Sequence, residues 1–278
     1  RGLEENAYVD LLGENLSENY SREDLMRIAI SSGVDGIFVE SDESGELTEL
    51  IDEAVDRDIP VVTLYGDNTH SKRCSFVGVG SYNLGREYGR QVLKIAREST
   101  WESAWENRVI RVAIVMNAYA MDTGQNIISS GIQDAIEQEK TEDIDFSVSY
   151  ITVDDTNTFS VEESIRDIFM EERLPDIIIC LNELNTTCVY QAVVDYNQVG
   201  QISILGYYDS DTIINAIDRN VVNATISIDT EQMGGFCVEA LTEYYLLGNT
   251  SQYFTADVTL IDKSNVAQYL EGGDEDEN

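Results

Sequence analysis

Asp176-Ile177-Ile178-Ile179-Cys180-Leu181-Asn182 is apolar on five consecutive residues and closed at each end by a polar one. A strand with one wet face alternates; an unbroken apolar run signals a strand covered on both faces, as in a parallel sheet with flanking helices. Val112-Ala113-Ile114-Val115 repeats the pattern. Outward from these two runs, strand-like segments lie at Tyr8–Leu12, Gly36–Val39, Pro60–Leu64, Phe76–Val79, Val109–Val115, Phe146–Thr152, Asp176–Cys180, Ser203–Leu205, Ala224–Ile226 and Ala256–Leu260. Between them come segments with apolar residues at i, i+3 and i+4, such as Leu47, Leu50, Ile51, Ala54 and Val55, or Ile165, Ile168 and Phe169. That spacing builds one buried face per helix. Strand and helix alternating along the whole chain predict α/β architecture.

The punctuation agrees. Ser21 precedes Arg22-Glu23-Asp24 and Ser160 precedes Val161-Glu162-Glu163, both read as N-caps of helices. The two prolines, Pro60 and Pro175, open strands, where a missing N–H costs little. No Gly/Ser/Pro linker divides the chain, so two lobes would be joined by strands crossing directly between them.

Composition removes whole classes of function. With 17 basic and 53 acidic residues the formal charge is −36. Nucleic-acid affinity rests on Lys and Arg displacing phosphate counterions, and an anionic membrane surface attracts basic segments, so neither is an expected partner. The 42% hydrophobic content excludes disorder of the whole chain. No apolar run reaches the roughly 18 residues of a membrane-spanning helix. Cys74, Cys180, Cys188 and Cys237 show no CxxC spacing and read as buried free thiols. His70 is the only histidine, which removes a His-based triad or multi-His metal site. The acidic loops Asp42–Glu46 and Asp154–Asn157 lack the spacing of a calcium loop, and no phosphate-cradling glycine motif follows a strand. Neither a metal nor a cofactor is expected. Glu40, Asp67, Glu183 and Asp209 would suffice for glycoside hydrolysis if they converged, but nothing else signals chemistry and no enzyme is expected.

The blocks Val34–Glu40, Ile59–Leu64, Phe76–Gly85, Asp176–Asn182, Ser203–Asp209 and Asn223–Asp229, in that order and spacing, resemble the type I periplasmic binding proteins. That family comprises sugar-binding proteins of ABC importers and the related effector domains of LacI-type regulators. The resemblance runs from about residue 7 onward. It implies two doubly wound, Rossmann-like lobes with a ligand cleft between them, joined by three crossings near Gly80–Tyr82, Ile228–Asp229 and Thr255–Asp257. One lobe is then 1–81 plus 229–256, the other 82–228 plus 257–270, and 271–278 is an acidic disordered tail. Arg1–Asn6 reads as the end of the family's first helix. The first strand and most of that helix are expected to be missing from this chain, and with them part of the usual cleft wall.

The resemblance also implies a ligand site, residue by residue. Glu40 ends a strand at the cleft mouth, where a carboxylate accepts hydrogen bonds from sugar hydroxyls; it equally suits the dipole of the following helix. Tyr65 and Asp67 follow the next strand. Tyr65 stands in place of the family's acid and Gly66 in place of its Arg, although Gly66-Asp67-Asn68 is also plain turn chemistry. Ser81 and Tyr82 match the family's Ser-Asp at a helix start, with Ser81 a natural N-cap. In the other lobe, Asn126 replaces a ligand-gripping Arg, which argues against an anionic ligand. Phe159, expected just before its helix, is a cleft-edge aromatic or a hydrophobic staple. Asn182 and Glu183 follow the Ile-rich strand, Tyr208 and Asp209 the next, and Asp229 binds ligand or caps the helix through Met233–Leu246. The exchange of acids for Tyr65, Tyr82 and Tyr208 implies that stacking contributes more than ion pairing.

The function so implied is capture of a small polyhydroxylated ligand, a sugar, by hinge closure. The ligand would be handed to a membrane permease or presented to a sensor kinase. The expected location is extracellular or periplasmic, with anchoring through a removed N-terminal segment. Two alternatives stand beside it: a LacI-type effector-binding domain, against which the −36 charge weighs, and a ligand-free scaffolding domain.

Overall fold

The computed structural model describes residues 8–13, 20–42, 44–98, 109–118, 123–141, 144–154 and 157–270. Arg1–Asn6 and the acidic tail lie outside the described residues. The chain is α/β and its described residues divide into two compact units, the first built on the chain up to Gly80, Thr123–Gly124 and Asp229–Asp257, the second on the described residues of Ser81–Ala120, on Gln125–Ile228 and on the chain from Val258. The chain passes between the units after Gly80, Ile228 and Asp257, and Thr123 and Gly124 group with the first.

The first unit holds helix α1 (Arg22–Ser32), strand β1 (Ile37–Glu40), α2 (Gly45–Asp56), β2 (Val61–Leu64) and β3 (Ser75–Gly78). To these it adds α8 (Thr230–Leu247) and β9 (Tyr253–Thr255). Its sheet runs β1-β2-β3-β9 and every pair is parallel. Met26 and Ile30 of α1 and Leu47, Leu50, Ile51 and Ala54 of α2 bury against Ile37, Val39 and Val61. Ser21 caps α1 as its sequence indicates, its hydroxyl accepting from Asp24 N at 3.1 Å.

The second unit holds α3 (Ser81–Glu98), β4 (Val109–Asn117), α4 (Thr123–Glu139), β5 (Asp145–Val153), α5 (Thr158–Ile168) and β6 (Ile177–Cys180). It continues with α6 (Glu183–Asp195), β7 (Ser203–Tyr207), α7 (Asp211–Asp218), β8 (Ala224–Ile228), β10 (Val258–Asp262) and α9 (Ala267–Leu270). The sheet order is β10-β8-β7-β6-β4-β5, parallel except for β10 against β8. Ile177, Ile178 and Ile179 are each 0% exposed, as are Val112, Ile114 and Val115. Both runs are covered on their two faces. Each fully buried Ile contributes roughly 1.5–3 kcal/mol of transfer free energy.

Three sequence expectations need correction. Tyr8–Leu12 forms no strand: no described strand pairs with it, and Tyr8 and Leu11 are 90% and 71% exposed. A lone extended segment has no ladder to stabilise it. Ala256–Leu260 is not one strand. Ala256 and Asp257 separate β9, parallel to β3, from β10, antiparallel to β8, so one apolar stretch serves two sheets. Ser160 is not the cap of α5; Asn157 is, its Oδ1 accepting from Ser160 N at 3.1 Å. The helix begins three residues earlier than the Ser160 signal implies, and the orphan N–H that the Asn157 side chain meets is that of Ser160 itself.

Helices α3 and α4 touch through backbone. A Cβ on Gly85 would lie 2.0 Å from the Ile128 carbonyl oxygen, and one on Gly131 would lie 2.3 Å from that of Tyr82. Gly85→Ala therefore forces the helices apart. That cost exceeds the helix-propensity gain of up to ~1 kcal/mol, and we expect a net loss of about 1–3 kcal/mol in urea unfolding. Unchanged stability would show that the helices separate freely.

Candidate functional site

A parallel sheet delivers its strands' carboxyl ends to one edge, where the following helices begin with unpaired N–H groups. Along that edge of the six-stranded sheet the structure places most of the residues singled out in the second unit. Neighbouring strands β7 and β6 carry Tyr208 with Asp209 and Asn182 with Glu183. Asn126 lies on the helix after β4, and Phe159 on the helix after β5.

The centre of this edge is a cluster of amides. Asn182 caps α6, its Oδ1 accepting from Asn185 N at 2.7 Å. Its Nδ2 donates to Asn117 Oδ1 at 3.2 Å, and Asn185 Nδ2 donates to the same oxygen at 2.9 Å. Asn117 is held from the other side, its N–H donating to Gln125 Oε1 at 3.1 Å. An amide has two N–H and two lone pairs, so half-buried Asn182 keeps one of each for a ligand hydroxyl. Asn185 is 1% exposed and its Oδ1 is without a protein partner. Thr186 ties β6 to β7: its hydroxyl donates to Asn182 O at 2.7 Å and accepts from Tyr207 N at 3.1 Å. Beneath them Tyr88 of α3, 1% exposed, donates to Gly206 O at 2.8 Å. Burial holds its phenol well above the usual range, so it stays a donor.

Tyr208 adopts a left-handed backbone with φ 76°. Its N–H donates to Ile226 O at 2.8 Å, and its carbonyl accepts from Thr225 Oγ1 at 2.6 Å. Asp209 Oδ2 accepts from Ser227 Oγ at 2.7 Å. Glu183 opens α6 and is exposed, as is Asn126 on α4. Phe159, 66% exposed, is the second residue of α5 rather than a residue ahead of it. It is therefore no staple, which requires the residue before the cap.

In the first unit, Glu40 ends β1, exposed, with Arg22 Nη1 donating to its carbonyl at 3.3 Å. Arg22 is also held by Asp42. Burial works to raise the Asp42 carboxyl, but hydrogen bonds from Ser44 and the Arg22 guanidinium outweigh it and hold the group below the usual range. Tyr65 follows β2 in a left-handed conformation, φ 57°, and is 52% exposed. Only Gly fits at position 66, because a Cβ there would lie 2.0 Å from the Ser41 carbonyl oxygen. The loops after β1 and β2 are locked together at that point. Asn68, fully buried, completes the lock by donating to Asp42 O at 2.7 Å and to Thr48 Oγ1 at 2.9 Å.

Asp67 is engaged within the protein. Oδ2 accepts from Arg73 Nη2 at 2.6 Å, and Oδ1 accepts from Arg73 Nε, from Asn68 N at 2.7 Å and from Thr63 Oγ1 at 3.3 Å. Asp229 caps α8, its Oδ1 accepting from Gln232 N at 2.8 Å. Ser81 is the first residue of α3, not its cap. Tyr82 donates to Asp134 Oδ2 of α4 at 2.7 Å. Asn117, Asn185, Thr186, Tyr88 and Asn68 escaped the sequence reading. Of these, Asn117 alone carried a signal, as the polar residue closing the apolar run of β4.

In the first unit Arg22 and Arg73 are committed to carboxylates; the second unit's edge offers hydrogen-bond acceptors, amides and the Tyr208 ring. It has no thiol chemistry: all four cysteines are free, and burial raises Cys74 and Cys237 to about 11 and Cys180 higher still. Among the described residues no group of His, Cys, Asp and Glu suits a metal ion.

A family model described as "Periplasmic binding protein domain" matches residues 4–249. Among curated proteins no relative matches. Solved structures share the fold. GanP, a glucose-galactose binding protein from Geobacillus stearothermophilus, is 21% identical with a TM-score of 0.74, over 87% of this chain and 82% of its own. The XylFII-LytSN complex gives 25% identity and a TM-score of 0.74, over 95% and 89%. AraP, an arabinose binding protein from Geobacillus stearothermophilus, gives 15% and 0.69, over 88% and 82%. GanP and AraP are binding proteins by name, as is the family of the matching model. The match of fold, strand-end chemistry and family model over most of its length makes the chain a member of the periplasmic binding protein domain family.

Proposed function

We propose that the protein is an extracytoplasmic solute-binding protein that captures a small neutral polyhydroxylated ligand, a sugar, for an ABC importer or a sensor kinase. The observation that carries this reading is the amide and carboxylate array at the carboxyl ends of β4, β6 and β7. Asn182, Glu183 and Asp209 offer a donor and acceptors for hydroxyls at the ends of neighbouring strands, with Tyr208 next to Asp209 in the chain. Glu40 and Tyr65 extend the ligand set in the first unit, with Ser81, Asn126, Phe159 and Tyr82 as further contacts. Asp67 and Asp229 act in it through the loops they hold. The sugars named for the relatives, glucose, galactose and arabinose, support the same class. Capture by hinge closure follows the family pattern, the chain passages at Gly80, Ile228 and Asp257 absorbing the rotation.

The test is a thermal-shift screen with glucose, galactose, arabinose and allose. A micromolar ligand at a thousandfold excess over Kd stabilises by about 4 kcal/mol, which raises Tm by roughly 8 °C or more. No shift with any neutral sugar overturns the assignment.

A further inference from the structure

An edge strand turns every second N–H and C=O away from its sheet, toward whatever lies beside it. The two sheets end on β1 and β9 in the first unit and on β10 and β5 in the second. Three of these edges are short, and two are also blocked by side chains. β1 has four residues, and Arg22 Nη1 donates to Glu40 O at 3.3 Å. β9 has three. β10 has five, and Asn265 donates to Leu260 O at 2.9 Å while accepting from Asp262 N at 2.9 Å. Short, occupied edges discourage the addition of a further strand.

β5 is different. It has nine residues, Asp145–Val153, and β4 pairs with all of them from one side. Val153 O accepts from Ala118 N at 2.8 Å, so alternation sets the odd-numbered residues toward β4. Phe146, Val148, Tyr150 and Thr152 therefore turn their backbone N–H and C=O groups outward. Among the described residues no strand lies beyond them. Ser147, Ser149, Tyr150 and Thr152 are exposed, and the strand has neither the Lys nor the Pro that guards an edge.

Helices cover both faces of β5. Ile151 and Val153 pack with Val161 and Ile165 of α5, and the Tyr150 hydroxyl meets Ser129 Oγ of α4 at 2.7 Å. On the α4 side, Phe146 and Val148 line a groove with Ile136 and Glu137. The surroundings are acidic, with Asp134, Glu137, Glu163 and Asp167 exposed on the two helices and Asp145 on the strand. Lys140 and Arg166 are the cations on or next to these elements. A second copy of the chain would set the same acids against these and add its own charge of −36. A cationic strand meets the opposite field.

We infer that the outer edge of β5 docks an extended cationic segment of a partner protein, which joins the sheet as a further strand. Its backbone pairs with Phe146, Val148, Tyr150 and Thr152, which supplies affinity. Its apolar residues enter the α4 groove, and Lys or Arg at the alternate positions meets the acids. The inference is independent of what the protein binds at its strand ends.

The probe is a labelled eight-residue peptide alternating Lys and Val, titrated by fluorescence anisotropy in about 20 mM sodium chloride. In one control peptide Glu replaces Lys; in another, alternate backbone nitrogens are methylated and cannot donate. The Lys-Val peptide binds, and both controls bind about tenfold or more weakly. In its presence amide exchange at Phe146, Val148, Tyr150 and Thr152 slows by about tenfold or more. Val148→Pro removes one outward donor and none of the bonds to β4, and it weakens binding roughly 3–10-fold. Asp145→Lys/Glu163→Lys weakens it by roughly tenfold with the backbone unchanged, so the test stands even where the Pro variant fails to fold. No binding of the Lys-Val peptide overturns the inference. Equal binding of the methylated peptide, or protection at another edge strand instead, overturns it as well. A dimer of the parent chain that Val148→Pro dissolves in sedimentation would assign the edge to a second copy and overturn the cationic partner.

Discussion

Replacing Arg73 with Ala lowers stability by about 3–5 kcal/mol, the cost of leaving a buried carboxylate without its cation. The Arg73 and Asp67 side chains are only 7% and 19% exposed, so solvent screens the pair weakly. Arg73 also donates to Gln252 O at 3.2 Å, and its guanidinium lies 5.1 Å from the centre of the Tyr253 ring. It therefore ties the loop after β2 to the start of β9, closing the far side of the first unit's sheet. The double variant Arg73→Ala/Asp67→Ala costs less than the two single changes together, because the orphaned charge disappears with its partner. Urea unfolding of the four proteins measures the coupling. A single-variant loss under ~1 kcal/mol would reduce the pair to a surface salt bridge. The same result bears on function. Asp67 holds the turn that carries Tyr65, and on the proposed sugar-binding reading its variants are expected to weaken binding through that loop.

Thermal stability rises with salt, by roughly 5–10 °C between 20 mM and 0.5 M sodium chloride. Two effects oppose each other. Salt weakens ion pairs such as Arg27–Glu46 and Lys72–Asp56, each contributing at most about 1 kcal/mol at the surface. Salt also screens the repulsion among carboxylates with no cation to face. Seventeen basic residues can neutralise at most 17 of 53 acids, leaving 36 uncompensated. The repulsion outweighs the pairing, since it acts over every uncompensated pair within a Debye length of ~20 Å at low salt and is nearly erased at high salt. A melting temperature that falls with salt would mean that the ion pairs outweigh the excess charge.

Much of this protein was legible in its sequence. The Ile177–Ile179 run announced a doubly covered strand, and Ser21 announced the start of α1, because both signals are local. That Asn182 and Tyr208 lie at the carboxyl edge of the sheet was legible because a parallel strand presents there whatever follows its last residue. The reading failed where one stretch served two sheets, at Ala256–Asp257, and at Tyr8–Leu12, with which no described strand pairs. It also failed at Asn157, where a nearer cap overtook Ser160. In each case the deciding interaction was made by a residue outside the pattern being read.

The sequence by itself determined the α/β class, the parallel strands covered on both faces and the shortage of cations, since periodicity and composition are properties of the chain alone. Only the tertiary structure decided which of the polar residues at the carboxyl edges are engaged within the protein and which are open. Asp67 faces Arg73, Asp229 caps α8 and Tyr82 reaches Asp134, while Glu40 and Glu183 stay exposed. It also decided that Tyr65 and Tyr208 turn left-handed. Residue type limits what a side chain can bond to, but the partner comes from wherever the fold brings one, and a backbone dihedral is held by the hydrogen bonds on either side of it.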